Sequence, residues 1–377
     1  MYKAAAMSSA ERWAMPSKKN SRGDFMPVQT IQNSLSFFAY RLSTILKSFK
    51  TLYTLPQEKV DAFLNSYTIY NHDWANEAEM IQEMGPDYYN QVQKKLVDYY
   101  SVLNHLCAIG QVEKMYIPPI MDMSKGIIAN QTLFEKKMAG DLNVKKGGRI
   151  LDIGCGRGRV ASHVATETGA HVTGMNIDAG QLAAAQRFAI GKNLSHQTSF
   201  IQGDLNKIPL PFESETFDAI YQIQVFSYSK NLEKLFADIY RVLKSGGSVA
   251  CLDWFQLDKY DPKNPEHADL MRRIKPLIGA IGTPRIEDFT RAMEKAGFKV
   301  LINQNASING LQAPLIEKAD SLFTWATRLI KGCVKCKIIP RHFQLLFDRL
   351  TLDGQAFVEA DRKGLVTTCH YIVAQKP

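Results

Sequence analysis

At 377 residues the chain is long enough for one large domain with appendages or two modest ones. Its composition, 45% hydrophobic and 22% charged, is that of an ordinary soluble globular protein, and no run approaches the roughly 20 apolar residues of a membrane span. The net charge of +9 is uneven: residues 1–60 carry nine Lys and Arg against three acids, an excess suited to anionic lipid or nucleic acid, or to nothing specific.

Residues 1–28 mix small, basic and polar side chains without the apolar core of a secretory signal, and read as a disordered basic tail. A helical N-terminal cap is expected over 29–147. Within it Leu35, Phe38, Leu42, Ile45, Leu46 and Phe49 recur at three- and four-residue steps, with Arg41, Lys47 and Lys50 among them. The helix over 31–53 either packs on its own domain or lies on a membrane surface, basic residues at the headgroups and aromatics below. Pro56, Pro86 and Pro118–Pro119 break the helical segments that follow. From 148 to 304 strands are expected near 149–153, 171–176, 198–202, 217–223, 247–254 and 298–303. Helices near 158–168, 179–191, 231–243 and 286–296 alternate with them, the pattern of a Rossmann-like α/β fold. Two amphipathic helices and a last strand, Cys369–Ala374, close the sequence over 305–377 and bring the expected sheet to seven mostly parallel strands. Of six scattered cysteines, Cys333 and Cys336 form a lone CxxC with no second pair, so reduced thiols in the cytoplasm are the simpler reading than zinc.

The richest stretch is Ile150–Leu151–Asp152–Ile153–Gly154–Cys155–Gly156–Arg157–Gly158. Glycines at this spacing let a strand turn sharply into a helix and let a ligand approach bare backbone amides. Such a turn serves a dinucleotide or S-adenosylmethionine. The acid Asp152 before the glycines, and Asp204 ending the third strand, favour S-adenosylmethionine. Gly154, Gly156 and Gly158 are expected along the methionine and ribose portions, and Asp152 at the loop and the methionine amino group. Asn176 is expected at a ribose hydroxyl, Asp204 with Leu205 at the adenine, and Gln222 to Gln224 beside the methionyl tail.

From Tyr99 to Pro377 the sequence resembles the sterol C-methyltransferases, which are class I S-adenosylmethionine-dependent enzymes. The resemblance rests on Leu151–Gly156, Val172–Asn176 with Gln181 five residues on, Phe217–Tyr221, Ile239–Gly247 and Asp258–His267. It implies a sterol or other hydrophobic substrate, no nucleic acid, an amide at the ribose from Asn176 paired with Gln181, and a cytoplasmic enzyme peripheral on the endoplasmic reticulum. Three departures surround the substrate. Ser101–His105 replaces an aromatic, acidic, glycine-rich stretch. Gln224–Ser229 replaces a Glu-Ala-Thr-Cys-His-Ala pattern, and Gly279–Pro284 loses an acid. Methylation at C-24 of the side chain and on the A-ring near C-4 are both open. So are O- or N-methylation of another hydrophobic molecule and a non-catalytic cofactor-binding role. Tyr100, Phe226, Tyr228 and Trp254 are candidate aromatic walls, and His105, Tyr228 and Asp98 candidate bases, although plain packing explains any one of them.

Overall fold

Unbroken apolar runs bounded by glycine or polar residues become the strands of one sheet. The computed structural model describes residues 42–109 and 114–377, except the side chains of 319–324. The basic tail 1–28, positions 31–41 of the first helix, and the Leu322 and Phe323 side chains therefore lie outside the described residues. The strands are β1 (Arg149–Ile153), β2 (His171–Asn176), β3 (Thr198–Gln202), β4 (Phe217–Ile223), β5 (Leu243–Gln256), β6 (Lys299–Asn305) and β7 (Val366–Gln375), in the spatial order β3-β2-β1-β4-β5-β7-β6. The first five pair in parallel, while β7 runs antiparallel between β5 and β6. Nine of the ten β7 residues are buried, as a strand covered on both faces requires, whereas β6 alternates between exposed and half-buried positions as an edge. The order reverses between β1 and β4, so their carboxyl ends flank the crevice where ligands of such sheets bind.

Helix starts follow local chemistry. Asp178 caps α7 (Ala179–Gly191) by accepting the Gly180 N–H at 2.7 Å, and Asn264 caps α9 (Pro265–Ile278), whose proline takes a first-turn position that needs no N–H. The N-terminal helices are α1 (42–53), α2 (Gln57–Ser66), α3 (Glu77–Met84) and α4 (Tyr88–Ile109). Val60, Phe63, Tyr67, Tyr70, Val92, Leu96, Tyr99 and Leu106 of this cap share one core with Phe343, Leu346 and Phe347 of α12 (His342–Thr351). Cap and C-terminal region are thus a single hydrophobic layer. The packing also departs from the expected boundary at 148. Phe134 and Met138 of α5 (Ile127–Asp141) pack with Val164 of α6 (Arg159–Thr168) and Tyr371 of β7, on the sheet rather than in the cap. A helix that the sequence pattern does not announce, α13 (Gly354–Lys363), buries Ala356, Phe357, Val358 and Ala360 against α9 and α11 (Ala313–Lys335). The remaining helices, α8 (Leu232–Val242) and α10 (Ile286–Lys295), lie where the alternation placed them.

From Ile45 to Pro377 the protein forms one compact unit. Within it α1 has two characters. Leu52 and Ser48 are buried, the Phe49 ring lies 5.4 Å from that of Phe343, and His342 Nε2 is 2.7 Å from the Leu52 carbonyl. Leu46 is instead 59% exposed. Accordingly, Leu52→Ala should cost about 2–5 kcal/mol in denaturant unfolding, and Leu46→Ala within about 0.5 kcal/mol of nothing.

Candidate active site

β1 delivers the backbone into the glycine turn at the crevice. Gly154 and Cys155 both donate N–H to the Met175 carbonyl, at 2.8 and 3.1 Å, which ties the turn to the end of β2. Gly154 has a positive φ of 81°, and a Cβ there would collide with both methyl groups of Val225, so only glycine fits. Gly156, φ 51°, lies beside Gln181. Gly158 does something else. A Cβ on it would lie 2.7 Å from Ala185 Cβ and 2.8 Å from the Phe200 ring, so its smallness lets α6 pack against α7 and β3, and it does not line the cavity.

That cavity is lined by Asp152, Gly154, Gly156, Asn176, Gln181, Asp204 and Leu205 among the expected cofactor residues, and by Tyr100 and Tyr228. Its polar groups fall in an order that fits S-adenosylmethionine. Asp204 accepts the Tyr89 hydroxyl at 3.0 and 2.8 Å, the Gln93 amide and the Asn206 N–H at 2.9 Å, so an acid for an adenine amino group is held in place by α4. Burial, then Asp204 itself, pushes the Tyr89 phenol upward, which keeps it a donor. Asn176 Nδ2 donates to Gln181 Oε1 at 3.0 Å, and the two amides face the ribose position together. Asp152 is 3% exposed and accepts the Tyr221 hydroxyl at 2.8 Å; burial pushes its carboxyl up to about 7, against that hydrogen bond. When bound, S-adenosylmethionine supplies an electrophilic methyl on a sulfonium.

Sequence reasoning missed the side groups that reach this cavity from the cap and its connecting segment. Besides Tyr89 and Gln93, these are Lys114 and Tyr116, anchored on the fully buried Glu135 at 2.5 and 2.7 Å; His163 Nδ1 completes that cluster at 2.6 Å. No motif marks them, because fold alone brings them near the glycine turn. Lys114 lines the cavity with its ammonium paired to Glu135.

A second, largely apolar cavity lies between α4, α9, α11 and α12, with Leu103, Leu277, Ile278, Ile316 and Leu350 in its walls. The two cavities share Tyr100, Met115, Tyr116 and Gln224. Gln224 holds this wall with an amide that spans it. Its Oε1 accepts the Ile117 N–H at 3.2 Å, and its Nε2 donates to the carbonyls of Ile117 at 2.8 Å and Thr368 at 2.7 Å. Tyr228 rides on the short turn after β4, where the Phe226 N–H donates to Asp253 Oδ2 at 2.9 Å.

Five expected residues lie elsewhere. Gln222 is fully buried on the face of β4 opposite Tyr221 and Ile223, and its Oε1 accepts the Val225 N–H at 2.9 Å; the strand's two-residue period puts Tyr221 and Ile223 at the cavity, and Gln224 reaches it only because the chain leaves the strand there with a φ of 55°. His105 lines neither cavity and lies 3.1 Å from Ser48 Oγ of α1, on a face of α4 turned from the crevice. Asp98 is 3.9 Å from Lys59, outside both linings. Phe226 and Trp254 are core residues, Phe226 packed on Phe236 and Trp254 among Leu270 and Phe357.

Because a bound cation needs Asp152 ionised, S-adenosylmethionine affinity should be full above about pH 7 and fall as pH drops below it, approaching tenfold per unit. Asp152→Asn, whose carbonyl can still accept from Tyr221, should weaken binding at least tenfold and flatten that pH dependence in calorimetry. Gly154→Ala should remove detectable binding, since it strains the turn and collides with Val225.

The comparisons agree with this geometry. A family model described as methyltransferase domain matches residues 151–251. The protein is 34% identical to the sterol 24-C-methyltransferase of Neurospora crassa, over 64% of its own length and 69% of that protein. It is 29% identical to the sterol 24-C-methyltransferase of Aspergillus fumigatus, over 77% and 78%. Among solved structures, a cyclopropane synthase from Mycobacterium tuberculosis superposes with a TM-score of 0.57 at 17% identity, covering 70% of this protein and 90% of that one, a likeness of fold. A seven-stranded class I fold, a cavity suited to S-adenosylmethionine and these relatives converge: the protein is an S-adenosylmethionine-dependent methyltransferase and belongs, as a divergent member, to the sterol C-methyltransferase family.

Proposed function

We propose that the protein transfers the methyl group of S-adenosylmethionine to carbon on a sterol or similar polycyclic lipid, at the A-ring near C-4. The observation that carries this reading is the common wall of Tyr100, Met115, Tyr116 and Gln224, where a polar cofactor cavity adjoins a largely apolar one suited to a rigid hydrocarbon. In-line attack by the enol carbon of a 3-keto ring on the sulfonium methyl forms a C–C bond and breaks a C–S bond; S-adenosylhomocysteine leaves with the electron pair, and the enol O–H proton passes to water as the carbonyl is restored. The protein's part is to hold both partners in contact and exclude water. A ring position is favoured because Gln224 and Tyr228 stand where the resembling pattern has its acid and histidine, so that none of the described residues shared by the two cavities is a carboxylate that could quench a cation formed on the sterol's tail.

Methyl transfer from labelled S-adenosylmethionine to four substrates tests the reading: a 3-keto sterol, a saturated sterol, a sterol with a double bond in its tail, and a non-sterol triterpene. Label on the ring of the 3-keto sterol, located by mass spectrometry and NMR, is the expected result. Label on the tail would place the reaction at C-24, and no label with cofactor still bound would move the substrate to another class.

Peripheral membrane contact belongs to the same reading. No described helix is long and apolar enough to cross a bilayer. Leu46 and Tyr53 of α1 and Trp325 and Leu329 of α11 are nevertheless exposed, with Lys47, Lys50, Arg328 and Lys331 among them. Apolar groups set among cations suit an anionic lipid surface. Leu46→Glu with Leu329→Glu should cut co-sedimentation with anionic liposomes at least threefold at an unchanged melting temperature; unchanged sedimentation would remove the membrane contact.

A further inference from the structure

Three phenols from separate elements meet at the junction of the cavities. Tyr70 comes from the short helical turn after α2, Tyr100 from α4 and Tyr228 from the turn after β4. The Tyr228 hydroxyl lies 3.0 Å from that of Tyr100 and 3.5 Å from that of Tyr70. All three surround Gly279, the left-handed C-cap of α9. A Cβ there would be 2.9 Å from the Tyr228 oxygen, 3.4 Å from that of Tyr100 and 3.8 Å from that of Tyr70, so the missing side group leaves the cluster its space.

The proton count gives the cluster a direction. Two hydrogen bonds join three hydroxyls and use two of their three protons. Tyr70 is 1% exposed and lines neither cavity, so its proton goes inward to Tyr228. With Tyr228 donating in turn to Tyr100, it is Tyr100, facing both cavities, that keeps a proton to offer. Burial raises all three phenols, so near neutral pH they are donors rather than bases; at Tyr100 the hydrogen bond from Tyr228 works against that rise. In such a row each donor polarises the next.

The other charged groups of the apolar cavity are already engaged. Arg349 is 3.3 Å from Asp353 and lies over the Tyr67 ring at 3.8 Å, while Arg273 takes the other Asp353 oxygen at 3.2 Å. They form a closed ion-pair cluster separated from Tyr70 by the Tyr67 ring.

We propose that Tyr70, Tyr228 and Tyr100 form a hydrogen-bond donor relay that receives a ring oxygen of the substrate, a hydroxyl or carbonyl, at the methyl-transfer junction, so that the polycyclic lipid enters ring-first. The inference rests on the substrate class proposed above and adds its orientation and the residues that read it. Tyr100 touches the substrate oxygen. Tyr228 and Tyr70 are positioning residues that act through it. A sterol entering tail-first would put hydrocarbon against the free end of the relay and leave that donor without an acceptor, which costs more than a missing contact.

The test uses the full-length protein loaded with S-adenosylhomocysteine and a matched set of sterols, identical except for a 3-oxo, 3-hydroxy or 3-deoxy ring, with binding followed by calorimetry. The 3-deoxy compound should bind about tenfold more weakly than the oxygenated pair. Tyr100→Phe should erase that difference and leave 3-deoxy affinity within about twofold. Tyr70→Phe, remote from the ligand, should shrink the preference about two- to threefold, an effect that loss of packing alone would not confine to oxygenated ligands. Tyr228→Phe serves as the second variant should Tyr100→Phe lower the melting temperature. Equal binding of 3-deoxy and 3-oxo sterols by the unaltered protein, or full discrimination retained by Tyr100→Phe, overturns the donor relay and leaves the substrate class standing. Failure of every sterol to bind overturns both.

Discussion

At the wall between the two cavities one half-buried amide ties three segments together. Gln224 sits just past β4 with a positive φ of 55°, an uncommon conformation for a residue with a Cβ. It is held there because the amide satisfies groups on two other segments, Ile117 before α5 and Thr368 on β7. A carboxylate in its place would accept the Ile117 N–H but could not donate to the two carbonyls, which would then face a charge in a low-dielectric setting. The choice of amide over acid is therefore structural as well as chemical. It fixes the segment carrying Lys114, Met115 and Tyr116 against the sheet and removes a fixed negative charge from the reaction space.

What could be read from the sequence follows from how local each signal is. The glycine turn was legible because its constraints lie within a few residues: left-handed backbone at Gly154 and close helix packing at Gly158. The pairing of Asn176 with Gln181 was also within reach, being a strand end and the first turn of the next helix. Gln222 was misplaced by a single residue, which on a strand means the opposite face. Tyr89 and Gln93 were not legible at the cofactor cavity, since nothing local to α4 says that it lies over Asp204 more than a hundred residues on. His105 shows the converse. An isolated histidine near the expected pocket drew attention, yet helical geometry turns it toward α1.

The C-terminal region carries a similar lesson. The expected helix with Phe343, Leu346, Phe347 and Leu350 on one face is present as α12, but its partner is the N-terminal cap rather than a separate layer. Periodicity reveals that a face must be covered without naming what covers it. α13 escaped notice because it follows α12 after two residues, leaving little turn signal between them. It packs against α9 and α11, and its first residue, Gly354, lines the apolar cavity.

The long helix α4 touches ligand space at two places. Tyr89 and Gln93 hold the acid at the adenine end, while Tyr100 forms part of the wall between the cavities. At 1.5 Å per residue Tyr89 and Tyr100 are about 16 Å apart along one rod, with no glycine or proline between them to absorb a bend. A translation of the helix felt at one end must therefore arrive at the other. Any coupling carried by this helix between the two pockets is reciprocal: whatever the occupant of one contributes to the grip on the other is returned in equal measure.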